Sequence, residues 1–452
     1  MSQNHSDVTV NNMGYKQELK RVLSTGDLII YGLIFMVPIA PFGIYGVVAD
    51  ISQGMVPLAY LIGMAGMIFT AFSYWRMAEV FPIAGSVYAY TARGLNKDIG
   101  FLSGWAILLD YILVPALLYV VSASALKSIV PGVPSYVWII TFILINTVVN
   151  ILGIEFTARF NKIMLIFELI VFAIFVGACI IALAHGAGDG ITFKPFYNPA
   201  KFDLTVVMGA VSIAVLSFLG FDGISTLAEE TKGGTDSVGK ACVGSLLLVG
   251  ALFIVQTYFA GLVFPDYTAF KDIDNAFYEV AFAAGGKTVM WICAIATGIS
   301  WGIANSLAAQ AAISRILYSM SRDGFLPHAL AKVHPKYKTP YISTLFVAAV
   351  SVAITAAFAN SIAALSSIVN FGALTSFLVL NFTVVYYFLY RKKSKEYGKH
   401  LILPVIGFIV IGYVWLNLST QAKTLGLIWM AIGVVYLLVM KYALKKDVDL
   451  EV

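Results

Sequence analysis

Three carboxylates, Asp110, Glu168 and Asp222, stand inside stretches that are otherwise apolar. A charged side chain at the centre of a bilayer costs about 2.5 to 3.5 kcal/mol on insertion scales, so each is a functional hypothesis by default. Asp222, placed between Gly220 and Gly223, suits the binding of a substrate ammonium or the uptake of a proton, with a structural hydrogen bond as the alternative. Glu168 is a protonatable group of the kind a proton-coupled carrier needs. Its alternative is pairing with a neighbouring helix or with Lys162. Asp110, followed by Tyr111, is divided between helix packing and a site.

Two interruptions accompany these acids. Pro38, Ile39, Ala40, Pro41, Phe42 and Gly43 place two prolines and a glycine within six residues, and Ser217, Phe218, Leu219, Gly220, Phe221, Asp222 and Gly223 bring a carboxylate and two glycines into the second. Neither sequence continues a regular helix. Freed backbone is costly in hydrocarbon unless something polar satisfies it, so such segments survive where they line a cavity. There the amides at helix N-termini suit an anionic group and the carbonyl ends suit a cation or ammonium. An amino acid or a polyamine offers one or both. Phe42 and Phe221, at the breaks, are candidates for closing over a solute. Trp301, Asn305 and Asn370 are candidates for substrate contact, against the commoner role of polar side chains that join helices. Each interruption alone also reads as a packing kink, but the pair favours a site.

Membrane helices are expected to carry these groups. The 452 residues are 60% hydrophobic and 12% charged, whereas soluble domains carry about 25% charged residues. The apolar residues fall in runs of roughly 20, the length a helix needs to cross about 30 Å of hydrocarbon. Hydropathy places spans at 28–49, 56–79, 101–125, 136–155, 161–184, 205–228, 241–264, 288–314, 341–359, 363–390, 401–419 and 424–441. The first and sixth of these twelve carry the interruptions, five helices apart. That odd spacing gives two five-helix halves opposite orientations in the bilayer, and broken helices at corresponding positions point to a transporter's binding site.

Charge supports this topology. With the N-terminus in the cytosol, only Lys127, Lys194, Lys201, Lys271, Lys287 and Lys423 of the 29 basic residues fall on outer connections. The formal net charge of +5 is then explained by cytosolic loops beside anionic lipid, and nucleic acid is not expected as a partner. Cys179, Cys242 and Cys293 stand alone in apolar segments and read as free core thiols. The five histidines form no metal motif, so no metal or cofactor is expected. Neither a repeated selectivity filter nor a nucleophile motif is evident, which disfavours an ion channel and a membrane enzyme.

Three stretches carry a resemblance. They are Ala78 to Tyr90 (AEVFPIAGSVYAY), Ser217 to Thr231 (SFLGFDGISTLAEET) with its acidic pair Glu229 and Glu230, and Ser314 to Pro327 (SRILYSMSRDGFLP). On these the chain resembles the amino acid/polyamine/organocation permeases across residues 20 to 442. SFLGFD, the SRxLYxMxRD pattern and Asn370 to Leu374 (NFGAL) look closest to bacterial putrescine importers. The resemblance implies an all-α membrane protein of twelve helices with a LeuT-like fold, two inverted five-helix repeats whose first helices are discontinuous. Residues 1–26 would then be a cytosolic tail, 27–204 the first repeat, 205–399 the second, 400–442 helices eleven and twelve, and 443–452 a cytosolic C-terminal tail.

It further implies a substrate site formed by the backbone of Ile39 to Gly43 and of Ser217 to Asp222, with Asp222 where relatives carry an acidic residue used in proton-linked or amine recognition. Two positions depart from the pattern. Gly43 follows Phe42 where putrescine importers carry an Asp, and Glu168 falls where many proton-coupled relatives carry a Lys. The expected function is proton-coupled import of an amino acid or organic amine across a bacterial cytoplasmic membrane by alternating access, in a monomer or homodimer. An obligate exchanger of the same fold is the alternative.

Overall fold

The computed structural model describes residues 18–130, 132–232, 236–358 and 362–443. Most of the two expected tails, residues 1–17 and 444–452, lies outside the described residues. Among the described residues the regular structure is helical, apart from an isolated parallel bridge between Leu23 and Thr231. In chain order the helices are α1 (Thr25–Met36), α2 (Pro41–Ile51), α3 (Val56–Val80), α4 (Ser86–Gly94), α5 (Lys97–Ile129), α6 (Ser135–Leu152), α7 (Ile154–Ala184) and α8 (Leu204–Ala214). They continue with α9 (Asp236–Val263), α10 (Ala276–Ile299), α11 (Ser306–Arg322), α12 (Tyr341–Phe358), α13 (Ile362–Val385), α14 (Leu403–Leu416) and α15 (Thr420–Leu438).

Ten helical stretches of the described residues are long and apolar enough to cross a membrane, and α1 with α2 makes an eleventh when the pair, bent by 54°, is one span. Tyr341–Ala356 is apolar but shorter. The outer faces are apolar too: α7 exposes Ile163, Ile166, Ile170 and Ile181, and α15 exposes Leu427, Ile428, Ile432 and Val435. Water would not tolerate such stripes on this scale, and lipid tails match them. The chain is a multi-span membrane protein.

Three boundaries differ from the hydropathy reading, each for a local reason. The fifth span was expected from 161, but helix resumes at Ile154 directly after Gly153, whose φ is +119°. One of the basic residues that depress hydropathy there, Lys162, pairs with Asp27 at 2.8 Å. Lys162 is thus engaged with α1, and Glu168 does not take it as a partner. The eighth span was expected over 288–314. A bend at Gly285 and Gly286 (φ +68°) precedes it, and α10, a π-helical turn over Ser300–Asn305 and α11 then run on to Arg322. The sixth span is α-helical only to Ala214; beyond its break, Asp222–Glu230 is a 3₁₀ helix. There Ser225 Oγ donates to Asp222 O and Thr226 Oγ1 to Gly223 O, both at 2.6 Å, so side chains compete for the carbonyls an α-helix would use.

Candidate functional site

The first break begins at Val37, whose φ of +56° is a conformation that β-branched residues rarely adopt. Strain of this sort costs on the order of 1 to 3 kcal/mol and persists only where the surroundings over-determine it. Here they do. Ala40 N donates to Val37 O at 2.8 Å, Phe42 N to Ile39 O at 3.0 Å and Gly43 N to Ala40 O at 3.1 Å, closing successive tight turns. Pro41 opens α2 at a position that needs no amide. The carbonyl freed at Pro38 accepts from Gln256 Nε2 of α9 at 2.9 Å. These contacts replace part of the helical hydrogen bonding that the break gives up, as hydrocarbon favours.

The second break turns at Gly220, with φ at +119°. A Cβ at Gly220 would lie 2.8 Å from the ring of Phe35, and one at Gly223 would lie 2.3 Å from it, so the end of α1 is seated directly on the second break. Asp222 fixes this turn: its carboxylate accepts from Gly220 N at 3.2 Å and from Tyr111 Oη of α5 at 2.5 Å. The hydroxyls of Ser217 and of Tyr60 on α3 are 3.2 Å apart.

A third irregularity faces these two. π-helical turns are rare and recur at functional sites, and the one over Ser300–Asn305 carries Trp301 and Asn305. The indole of Trp301 lies so close over Gly43 that a Cβ there would be 2.8 Å from its Cζ2.

Between the three irregularities is a small cavity lined by residues of both breaks, of the π-turn and of α5. Of the residues singled out from sequence, Ala40, Asp110, Ser217, Gly220, Trp301 and Asn305 line it. Leu219, within the stretch Ser217 to Asp222 that the resemblance implied, lines it too; sequence reasoning did not include Phe35, Met36 and Ile44 beside the first break, Tyr111, Val114, Leu117 and Leu118 on α5, or Leu216 at the second break, which line it as well. An apolar residue on an apolar helix gives no signal of the face it presents.

The other candidates surround the cavity without lining it. Ile39, Pro41 and Gly43 belong to the first break, as given above. Phe42 stacks on Phe277 with ring centroids 3.9 Å apart, and Phe175 lies 5.5 Å from it. Phe218 packs on Tyr60 and Phe253, and Phe221 on Tyr74 and Phe377. Asp222 is held behind the cavity wall by Tyr111. Glu168 on α7 is fully buried beside Ser300, and neither of its carboxylate oxygens has a hydrogen-bond partner among the described residues. Asn370 on α13 is buried with its side-chain oxygen likewise unpartnered.

The three sequence stretches that carried the resemblance meet at the end of the molecule that holds the N-terminal segment. Glu230 pairs with Arg315 through Nε at 2.6 Å and Nη2 at 3.0 Å, and Glu229 with Arg322 at 2.9 Å. Both glutamates are fully buried. Ala84 N donates to Glu229 at 2.9 Å, and Ser319 Oγ donates to Ala84 O at 2.9 Å. The chain before α1 joins them, for Val22 N and Leu23 N donate to Glu230 O at 2.9 and 3.0 Å. The two acids and two arginines were visible as neighbours within their own motifs, but their pairing was not.

The sequence model of the amino acid permease family matches residues 24–441. Among curated proteins, the chain is 32% identical to the low-affinity putrescine importer PlaP of Escherichia coli K12, over 93% of both chains. It is 27% identical to the branched-chain amino acid permease BcaP of Bacillus subtilis over 93% of both, and 26% identical to the methylthioribose transporter of the same organism over 94% of both. These relatives are transport proteins, not enzymes. With the family match spanning nearly the whole chain, the protein belongs to the amino acid permeases of the amino acid/polyamine/organocation group.

Proposed function

We propose that the protein is a secondary active transporter that carries an amino acid or organic amine across a bacterial cytoplasmic membrane by alternating access, coupled to protons. The observation that carries this reading is the cavity lined jointly by both helix breaks and the π-turn. The relatives' substrates, putrescine and branched-chain amino acids among them, fit the same chemical range.

Twelve spans, with Tyr341–Phe358 as the ninth, and inverted repeats over 27–204 and 205–399 follow from this reading, as do helices over 400–442 and cytosolic tails at 1–26 and 443–452. Packing supports the repeat. α1 lies against α9 and α8 against α3, which are exchange partners when the halves are swapped; so are the pairs α5 with α13 and α10 with α7. Asp222 and Glu168 are the carboxyls suited to proton coupling. Asp222 is tied to both a break and α5, and Glu168 is buried with unfilled bonding capacity against the π-turn. A monomer or homodimer suffices, with lipid and the solute as partners. For a cationic solute the membrane potential adds about 2.3 kcal/mol per charge per 100 mV.

In proteoliposomes, solute uptake is expected to saturate and to rise under an imposed inward proton gradient, and Asp222→Asn is expected to abolish coupling or binding. Full gradient-driven uptake by Asp222→Asn would remove the role given to that residue. Absence of saturable uptake for any amino acid or amine would remove the transport reading itself.

A further inference from the structure

The two carboxylates nearest the cavity are adjacent in space but bonded differently. Asp222 is consumed by its hydrogen bonds to Tyr111 and Gly220. Asp110 lines the cavity, is 3% exposed, and accepts no hydrogen bond from any described residue. The two side chains from α5 divide the work, because neighbouring positions on a helix point about 100° apart: Tyr111 reaches across to the second break while Asp110 is left to the cavity. A buried carboxylate without a partner is strongly disfavoured in its charged form, so it either takes up a proton or is met by a cation or a hydrogen-bond donor.

What else the cavity offers narrows that visitor. Most of its wall is apolar, with Met36, Ile44, Val114, Leu117, Leu118 and Leu219 among its residues. The Ser217 hydroxyl is engaged with Tyr60. Glu168 does not reach the lining. Gly43 contributes no side chain, and the space above it is filled by Trp301. One carboxylate therefore faces a chamber that has no second anionic group for the far end of a diamine.

We propose that Asp110 is the group that binds the solute's ammonium, and that the solute carries one ammonium on an otherwise apolar body. This rests on the transport reading above and deepens it. An apolar monoamine meets that description in full, and an amino acid with an aliphatic side chain meets it apart from the carboxylate beside its ammonium.

The test is ligand-induced thermal stabilisation of the purified full-length protein in detergent, since a ligand that binds the folded state raises its apparent stability. Isoamylamine, leucine and putrescine serve as probes, the first two separating the carboxylate-free from the carboxylate-bearing case. Half-maximal stabilisation by isoamylamine or leucine is expected at a concentration at least tenfold below that for putrescine. Asp110→Asn is expected to raise that concentration tenfold or more, and Asp110→Glu to recover part of the loss. The preference of the unmodified protein is informative even if one variant folds poorly. Putrescine binding as well as or better than the other two overturns the proposal, as does an Asp110→Asn protein that binds like the parent. Binding retained by Asp110→Asn with loss of proton coupling alone would make Asp110 a proton carrier and also overturns it. If none of the three probes binds, the proposal fails, while saturable uptake of another solute in proteoliposomes would leave the transport reading standing.

Discussion

On the side of the cavity away from the N-terminal segment, Phe42, Phe175 and Phe277 cluster, Tyr45 packs edge-on against Phe277, and Phe270 packs against Tyr45. On the side that holds the N-terminal segment, the chain ends of the second broken span and of α11 are joined by Glu230–Arg315 and Glu229–Arg322. The two sides are held together by opposite chemistries. Aromatic rings separate with a loss roughly proportional to the apolar area exposed, and they find new packing without a fixed geometry. Buried ion pairs hold only in one arrangement, and once water enters, hydration replaces the lost attraction. Under the alternating access proposed above, the aromatic contact would be the closure tolerant of detail and the ionic contact the one specific to its partners.

This contrast can be broken first at its ionic end. Glu230→Ala leaves Arg315 charged and buried, and a loss of about 3 to 5 kcal/mol is expected, visible as a large fall in the thermal unfolding temperature in detergent. Replacing both partners at once, with Glu230→Leu and Arg315→Met, is expected to restore most of that stability but not the reversibility of the closure, so transport should stay low. At the aromatic end, Phe277→Ala is expected to cost about 3 kcal/mol from the cavity it creates. Any partial collapse of the neighbouring rings would reduce that figure, whereas no such rescue is open to an orphaned guanidinium.

Gly43→Ala places a methyl against Trp301, and relief requires the indole to move towards the solute. Overpacking of this kind costs about 1 to 3 kcal/mol, and the expected readout is solute affinity weakened about tenfold with little change in expression. Lys399 pairs with Glu396 at 3.2 Å on an exposed surface. Lys399→Ala is expected to change stability by less than about 1 kcal/mol, because exposed ion pairs contribute little. Equal losses from Lys399→Ala and Glu230→Ala would show that burial is not what distinguishes the ionic closure.

The sequence disclosed some of this and hid the rest for identifiable reasons. Pro38, Pro41, Gly220 and Gly223 cannot sit quietly in a continuous helix, so both interruptions were readable. The extension of α11 past 314 was not, because Arg315 and Arg322 lower hydropathy whether or not an acid waits to bury them; only the fold brings Glu229 and Glu230 alongside. α4, all nine residues of which are buried, was read as a motif and not as a helix because it is too short to cross a bilayer. The division of labour between Asp110 and Asp222 was also invisible. Both are lone acids in apolar helices, and what separates them is the reach of Tyr111 from one helix to another. Backbone irregularity is written in residue types, while pairing across helices is written only in space.

In the proposed transport cycle the solute sits between the two breaks. Ser217→Cys places a thiol on the cavity wall, and its rate of alkylation by a small thiol reagent can be followed in membranes against the background of Cys179, Cys242 and Cys293, all three of which are buried. Saturating amounts of whichever of leucine, isoamylamine or putrescine the protein transports are predicted to slow that reaction at least severalfold, with the amount for half-protection matching that for half-maximal uptake. An alkylation rate that does not change while uptake is saturated would contradict the claim.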